Sequence, residues 1–263
     1  HIGRTGAGAC PVRGHSNVQG DRTMGIWENP PEKFLKSLDD NTGISSPRKP
    51  GLDAVNSIKA MYEGKCKIFF AMGGNFLSAT PDTMYTAKAL RKCHLTVQVS
   101  TKLNRSHLIT GENALILPCL GRTEIDIQNS NEQIISVENS MGVVHTSKGG
   151  LKPISKTLLS EPKIVANLAN ATLGEKSRIE WDQLAGNYDN IRDLIEKCIP
   201  GFTDYNTRVR QNGGFYLPNP PRDSRKFDTA SGKAIFTIND IPNNILDDGK
   251  YMMMTIRSHD QYN

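Results

Sequence analysis

The chain has no run of about 18 apolar residues, so it offers no ordinary transmembrane helix. No basic-then-apolar signal pattern opens it either. Its five cysteines, Cys10, Cys66, Cys93, Cys119 and Cys198, are odd in number and widely spaced, with no C-x-x-C pair. That argues against a zinc or iron–sulfur site built wholly within the segment and leads us to expect reduced thiols in a cytoplasmic setting. The G-x-G-x-x-G fingerprint is also missing, which argues against a conventional dinucleotide fold. Aromatic residues make up only 6%, and the basic side chains form no stripe between them, so neither a nucleic-acid surface nor a membrane span is expected. What remains is a chain of 263 residues, 37% hydrophobic and 22% charged, long enough for one large or two modest soluble domains. Its formal net charge of +5 favours an anionic ligand.

The stretch GAGACPVRGHSNVQG, from Gly6 to Gly20, concentrates polar recognition groups. Its glycines let backbone N–H groups approach a ligand, and Arg13 presents a planar fork of donors for a carboxylate or phosphate. Asn17 and Gln19 both donate and accept, which suits the edge of a heterocycle. A Gly-rich surface loop is the plainer reading of the same composition.

Further along, the pattern predicts a short helix at Glu32–Leu38, an amphipathic helix over residues 52–63, and a strand at Cys66–Met72 buried on both faces. Gly73-Gly74-Asn75 ends that strand. Thr80 is expected to cap a helix with Pro81 at its first position, followed by strands at Leu95–Ser100 and Ala114–Pro118. This order of elements predicts a parallel α/β sheet with ligands at the carboxyl ends of its strands. A hairpin is expected between Thr123–Gln128 and Gln133–Val137, then a glycine-bearing loop from Ser140 to Ile154. Within that loop His145 is either a proton-transfer group or a structural histidine, since no spacing identifies a partner. Helices are expected from Ser160 and over Tyr188–Cys198. Phe202–Arg225, rich in proline, reads as a connector, and Lys233–Ile238 and Met252–Ile256 read as the first strands of a β domain. The start at His1 and the stop at Asn263, just after an apolar run, lead us to expect a piece excised from a longer polypeptide.

CPVRGHSNVQGDRTMG closely resembles the cofactor-binding segment of the molybdopterin oxidoreductases, in the FdhF/YdeP branch of formate-dehydrogenase-like alpha subunits. The series through TKLNRSH and ILPCLGRTE, and the block TIRSHDQYN, agree with it. The resemblance implies an α/β fold: a parallel-sheet, Rossmann-like cofactor-binding region at residues 1–201, a connector at 202–227, and the beginning of a C-terminal β-barrel at 228–263. It implies a molybdenum or tungsten atom held as molybdenum bis(molybdopterin guanine dinucleotide), with any 4Fe-4S cluster and the protein ligand of the metal outside this segment. Arg13 and His15 would then stand beside the reaction, Arg13 gripping a small anionic substrate and His15 replacing the family's glutamine. Gly14, Asn17, Val18, Gln19 and Gly20 would contact cofactor. So would Gly73, Gly74, Asn75, Thr101, Lys102 and Asn104 at the strand ends, and Arg257, Ser258, His259 and Gln261 near the end of the chain. No residue here is implied as a metal ligand, and Cys10 occupies an asparagine position of the motif. The full protein would pass electrons to a partner, while the segment alone would be inactive. A cofactor-free interaction module and another nucleotide-binding α/β protein are the rival readings.

Overall fold

The computed structural model describes residues 2–4, 7–9, 17–241 and 245–253. The fold divides into a body spanning residues 10–218 and a smaller unit made of residues 1–9 and 219–263. Three helices open the body: α1 (Val18–Thr23), α2 (Glu32–Thr42) and α3 (Ala54–Tyr62). Asp53 caps α3 by accepting the Asn56 N–H at 2.7 Å. Next come β1 (Ile68–Met72), the short α4 (Phe76–Ala79), α5 (Thr83–Arg91), β2 (Leu95–Ser100) and β3 (Asn113–Pro118).

β1, β2 and β3 form a parallel sheet in that order, with Ile68 opposite Leu95 and Leu95 opposite Asn113. This is the α/β, Rossmann-like arrangement that the alternation of strands and helices predicts. On one face Phe69 meets Phe76 at 4.9 Å and packs on Ile58, Met61, Leu77 and Leu90 from the helices. On the other, Val99 and Leu117 meet Ile164 near the strand ends, while Ile68, Phe70, Met72 and Leu115 stay exposed. Contrary to expectation, then, β1 is buried on one face only. The α5 cap also differs: Asp82, not Thr80, accepts the Tyr85 N–H, so the helix starts after Pro81 rather than on it. Thr80 instead pairs its hydroxyl with that of Thr86 at 2.8 Å.

Beyond the sheet lie β4 (Ile127–Gln128), β5 (Asn131–Glu132), β6 (Ile135–Glu138) and β7 (Val143–Ser147). The expected hairpin shrinks to β4 and β5 around Asn129 and Ser130, whose φ values of 47° and 66° make the tight turn. β6 pairs instead with β7, inside the stretch expected to be a loop. The alternation of Val-Val-His-Thr-Ser drives this, placing Val144 inward at 2% exposure.

α6 (Glu161–Leu173), α7 (Trp181–Gly186) and α8 (Tyr188–Cys198) follow. Ser160 does precede α6, but its hydroxyl pairs with Tyr188 Oη at 2.7 Å rather than capping the helix. The presumed connector holds α9 (Tyr205–Arg208) and β8 (Phe215–Tyr216), which pairs with β7. Phe202, Tyr205, Val209 and Phe215 bury themselves against Val144, so this irregular stretch is core rather than linker. In the smaller unit, α10 (Pro220–Ser224) precedes Arg225, whose Nε donates to Ile2 O at 2.6 Å. Residues 233–238 form no strand, and Ile235, Phe236 and Ile238 are exposed. Residues 254–256 of the last expected strand lie outside the described residues.

Gly149 permits a close approach that no other residue could make. A Cβ there would lie 1.9 Å from the Glu124 carbonyl oxygen, against the segment whose Ile125 N–H donates to Leu151 O at 2.8 Å. Gly149→Ala is therefore expected to lose about 1–3 kcal/mol by overpacking, read as a lower urea midpoint. An unchanged midpoint would show that these backbones can part at no cost.

Candidate functional site

A cleft of about 910 Å³ opens where β3 runs into Gly121, Arg122 and Thr123. Its other walls are the start of α1, the β6–β7 hairpin and the Lys148–Leu151 segment. Asn17, Val18 and Gln19, all expected at a site, lie on this wall. Gly20 sits behind them, lining an inner cavity of about 210 Å³ that shares Asn17 and Glu138 with the cleft.

Asn17 takes the left-handed conformation at φ 61°, and its Oδ1 accepts the Glu138 N–H at 2.9 Å. Part of its amide thus serves to fasten α1 to β6. A Cβ on Gly20 would stand 2.3 Å from that Oδ1, so glycine there keeps the fastening in place.

Glu138 is the residue that the sequence reading passed over. It is 7% exposed, yet among the described residues its carboxylate meets only neutral donors: the Thr23 hydroxyl at 2.6 Å and the Gln19 side chain. Among the described residues it has no ion pair. Burial pushes its pKa above the ordinary carboxylate range, and the two hydrogen bonds offset this only in part. Arg122, His145 and Lys148 stand on the same cleft. Lys148 is ion-paired to Glu132, and His145 Nδ1 lies 3.1 Å from Thr146 O. The lining therefore joins cations and amides to one buried carboxylate, which fits an anionic organic ligand with a hydrogen-bonding ring.

Six other expected residues form a separate cluster. Gly73 and Gly74, at φ 70° and 74°, turn the chain off β1, and a Cβ at either would meet nothing within 4 Å. Their need for glycine is conformational, not steric. Asn104 Nδ2 donates to Gly74 O at 2.9 Å, and the Ser106 hydroxyl donates to Asn75 Oδ1 at 3.0 Å, tying the ends of β1 and β2 together. Thr101 and Lys102 are exposed beside them. None of these six residues lines the cleft. In the same cluster His107 Nδ1 accepts the Asn104 N–H at 3.0 Å, and its buried Nε2 has no hydrogen-bond partner among the described residues. Arg13, Gly14, His15, Arg257, Ser258, His259 and Gln261 lie outside the described residues.

Among the described residues no three or more His, Cys, Asp or Glu side chains are grouped to hold a metal ion. Nor is any helix there long and apolar enough to cross a membrane. Cys93, Cys119 and Cys198 are buried free thiols, and burial pushes Cys119 up to about 11.

No protein-family model matches the chain. Over its whole length it is similar to proteins named as uncharacterized oxidoreductases and to YdeP. A Mycobacterium tuberculosis protein, named an uncharacterized oxidoreductase, is 55% identical over 262 residues, covering 100% of this chain and 34% of that protein. YdeP of Escherichia coli is 46% identical over 269 residues, covering 100% of this chain and 35% of YdeP. A shorter match, 36% identical over 78 residues, covers 27% of this chain and 8% of YrhE of Bacillus subtilis, provisionally named a formate dehydrogenase. The chain thus spans about a third of the length of the first two relatives.

Proposed function

We propose that the chain is the cofactor-holding portion of a formate-dehydrogenase-like oxidoreductase that uses molybdenum or tungsten bound by two pterin guanine dinucleotides. The observation that carries this reading is the cleft itself, whose wall is formed by the Asn17–Gln19 part of the resembling motif, with Arg122, Glu138 and Lys148 around it. The oxidoreductase name of the Mycobacterium tuberculosis relative, which matches all of this chain, supports it.

The residues present suit such a cofactor. Its phosphates call for cations and backbone N–H groups, and its rings call for amides and a carboxylate; the lining has both kinds. When bound, the group would supply the two-electron redox chemistry. Arg122 and Lys148 would neutralise anionic oxygens, while Asn17 and Gln19 would orient a ring by donating and accepting. Gly73, Gly74, Asn75, Thr101, Lys102 and Asn104 would form a second contact zone at the strand ends, for the guanosine diphosphate arm. Arg13 would hold a small anionic substrate by bidentate hydrogen bonding, with His15 beside it for proton handling. Any 4Fe-4S cluster and the electron-transfer partner would belong to parts of the longer protein beyond this segment.

The test is metal analysis and pterin fluorescence on the full-length protein from a molybdopterin-competent host. The reading expects molybdenum or tungsten together with both pterin guanine dinucleotides. It also expects Arg13→Ala to retain the pterin and lose turnover. Protein without metal or pterin would overturn the reading in favour of a cofactor-free interaction module.

A further inference from the structure

Glu138 sits where a carboxylate is hard to keep. It belongs to the wall shared by the cleft and the inner cavity, and it is 7% exposed. Its backbone N–H is held by Asn17, and its side chain by Thr23 and Gln19, so the carboxylate is fixed in place. An ionised carboxylate offers about four lone-pair sites, and two neutral donors leave it short of partners. Burying a charge so incompletely paired is costly unless something else completes it.

The rest of the lining narrows what that partner is. Arg122 and Lys148, the latter already paired to Glu132, bring positive charge to the same cleft and favour a ligand with anionic groups, whereas Glu138 demands N–H donors from it. An anion that also presents two adjacent N–H donors meets both demands. A 2-amino-4-oxopyrimidine edge has this pattern, a ring N–H next to an amino group, spaced to match the two oxygens of one carboxylate. Adenine lacks that pair, and hypoxanthine has only half of it.

We propose that Glu138 reads the 2-amino-4-oxopyrimidine edge of the ligand in this cleft, an edge common to guanine and pterin. The assignment rests on the cofactor reading above and specifies which side chain recognises the ring. Thr23 and Gln19 act as positioning residues that hold the carboxylate in the wall shared by the cleft and the inner cavity.

The experiment is equilibrium binding to the full-length apoprotein and to its Glu138→Gln and Glu138→Asp variants. GDP is compared with IDP, which has hydrogen in place of the amino group, and pterin with lumazine, which has an oxo group in its place. Circular dichroism confirms that each variant is folded. The proposal expects the amino-bearing member of at least one pair to bind about tenfold more tightly, the worth of one hydrogen bond to a charged group. Glu138→Gln should erase that ratio, and Glu138→Asp, with its charge one methylene further back, should reduce it. Discrimination in the GDP pair identifies guanine as the ring, and discrimination in the pterin pair identifies pterin. Binding without discrimination, or discrimination that survives in Glu138→Gln, overturns the role of Glu138 and leaves the cofactor reading standing. If no probe binds and the full-length protein carries no pterin, both fall together.

Discussion

Phe202→Ala is expected to cost about 3–5 kcal/mol of folding stability, the range for deleting a buried aromatic side chain and leaving its cavity. Phe202 is 1% exposed and lies 4.6 Å from the Tyr205 ring and 6.0 Å, edge to face, from Phe215. The space left would adjoin the inner cavity that Phe202 lines, and the neighbours on β7, α9 and β8 cannot all close onto it. The cluster also supports function, because Val144 of β7 packs in it while His145, the next residue, lines the cleft. A loosened cluster should therefore weaken ligand binding at temperatures where the protein is still folded. Urea denaturation with an unchanged m-value, alongside the GDP titration, separates the two effects. A loss below about 1 kcal/mol would show that the cluster can repack around alanine.

That cluster shows where the sequence was legible and where it was not. Tyr188–Cys198 matches α8 because Ile191, Leu194 and Ile195 recur at helical spacing and Pro200 lies just beyond. β2 and β3 could be read for a related reason, being short apolar runs between turn signals. Phe202–Tyr216 could not, since its apolar residues follow no period. Their burial is decided by Val144, nearly sixty residues earlier, a contact that local pattern does not carry. The same holds in reverse for Lys233–Ile238, where strand-like composition alone produced no strand, because the described residues offer it no partner.

Glu138 was hidden by a sound rule. In Ile-Ser-Val-Glu, Ser136 and Glu138 alternate with Ile135 and Val137, which reads as the solvent side of a strand. Here the polar side is covered. Ser136 pairs with Tyr205 Oη at 2.7 Å, and Glu138 with Thr23 from α1. Only the arrival of α1 and α9, both distant in sequence, turns that face inward. The motif residues Asn17 and Gln19 were legible as polar ligand-type side chains, but their attachment to Glu138 was not.

Arg192→Met should be as damaging as the loss of Phe202, by about 3–5 kcal/mol, because it breaks a buried charge network while keeping most of the volume. Arg192 is 3% exposed, and each arm of its guanidinium is committed. Nε donates to Asn206 Oδ1 at 2.6 Å, one terminal nitrogen donates to Ile134 O at 2.9 Å, and the other is ion-paired to Asp189. One side chain thus holds α8 to α9 and to the residue that leads into β6, the strand carrying Glu138. Methionine fills the space but takes the donor from the Ile134 carbonyl and leaves the Asn206 amide oxygen only the longer bond from Arg210 at 3.4 Å. Lysine, a point charge on a flexible stem, cannot replace a planar fork with three differently placed partners, so Arg192→Lys should recover only part of the loss.

The acid dependence should shift as well. Burial opposes ionisation of Asp189, but hydrogen bonds from Arg210 and Arg192 outweigh it and hold its pKa below the usual value. A depressed carboxylate contributes stability that is complete above its unfolded pKa, about 3.9, and is lost as pH falls through the lower folded value. Removing Arg192 takes away one of the groups that depress it, leaving Arg210 at 2.7 Å. The Asp189 share of stability should then shrink at neutral pH and disappear at a higher pH during acidification. Urea midpoints measured from neutral pH down to acid unfolding test both parts, and a variant whose loss is small and independent of pH would show that Arg192 is a packing residue whose charge network contributes little. The companion readout is Glu138. If Arg192 holds β6 in place, the Arg192→Met protein, even under conditions where it is fully folded, should lose the preference for GDP over IDP, since the carboxylate that reads the amino group would no longer be held still.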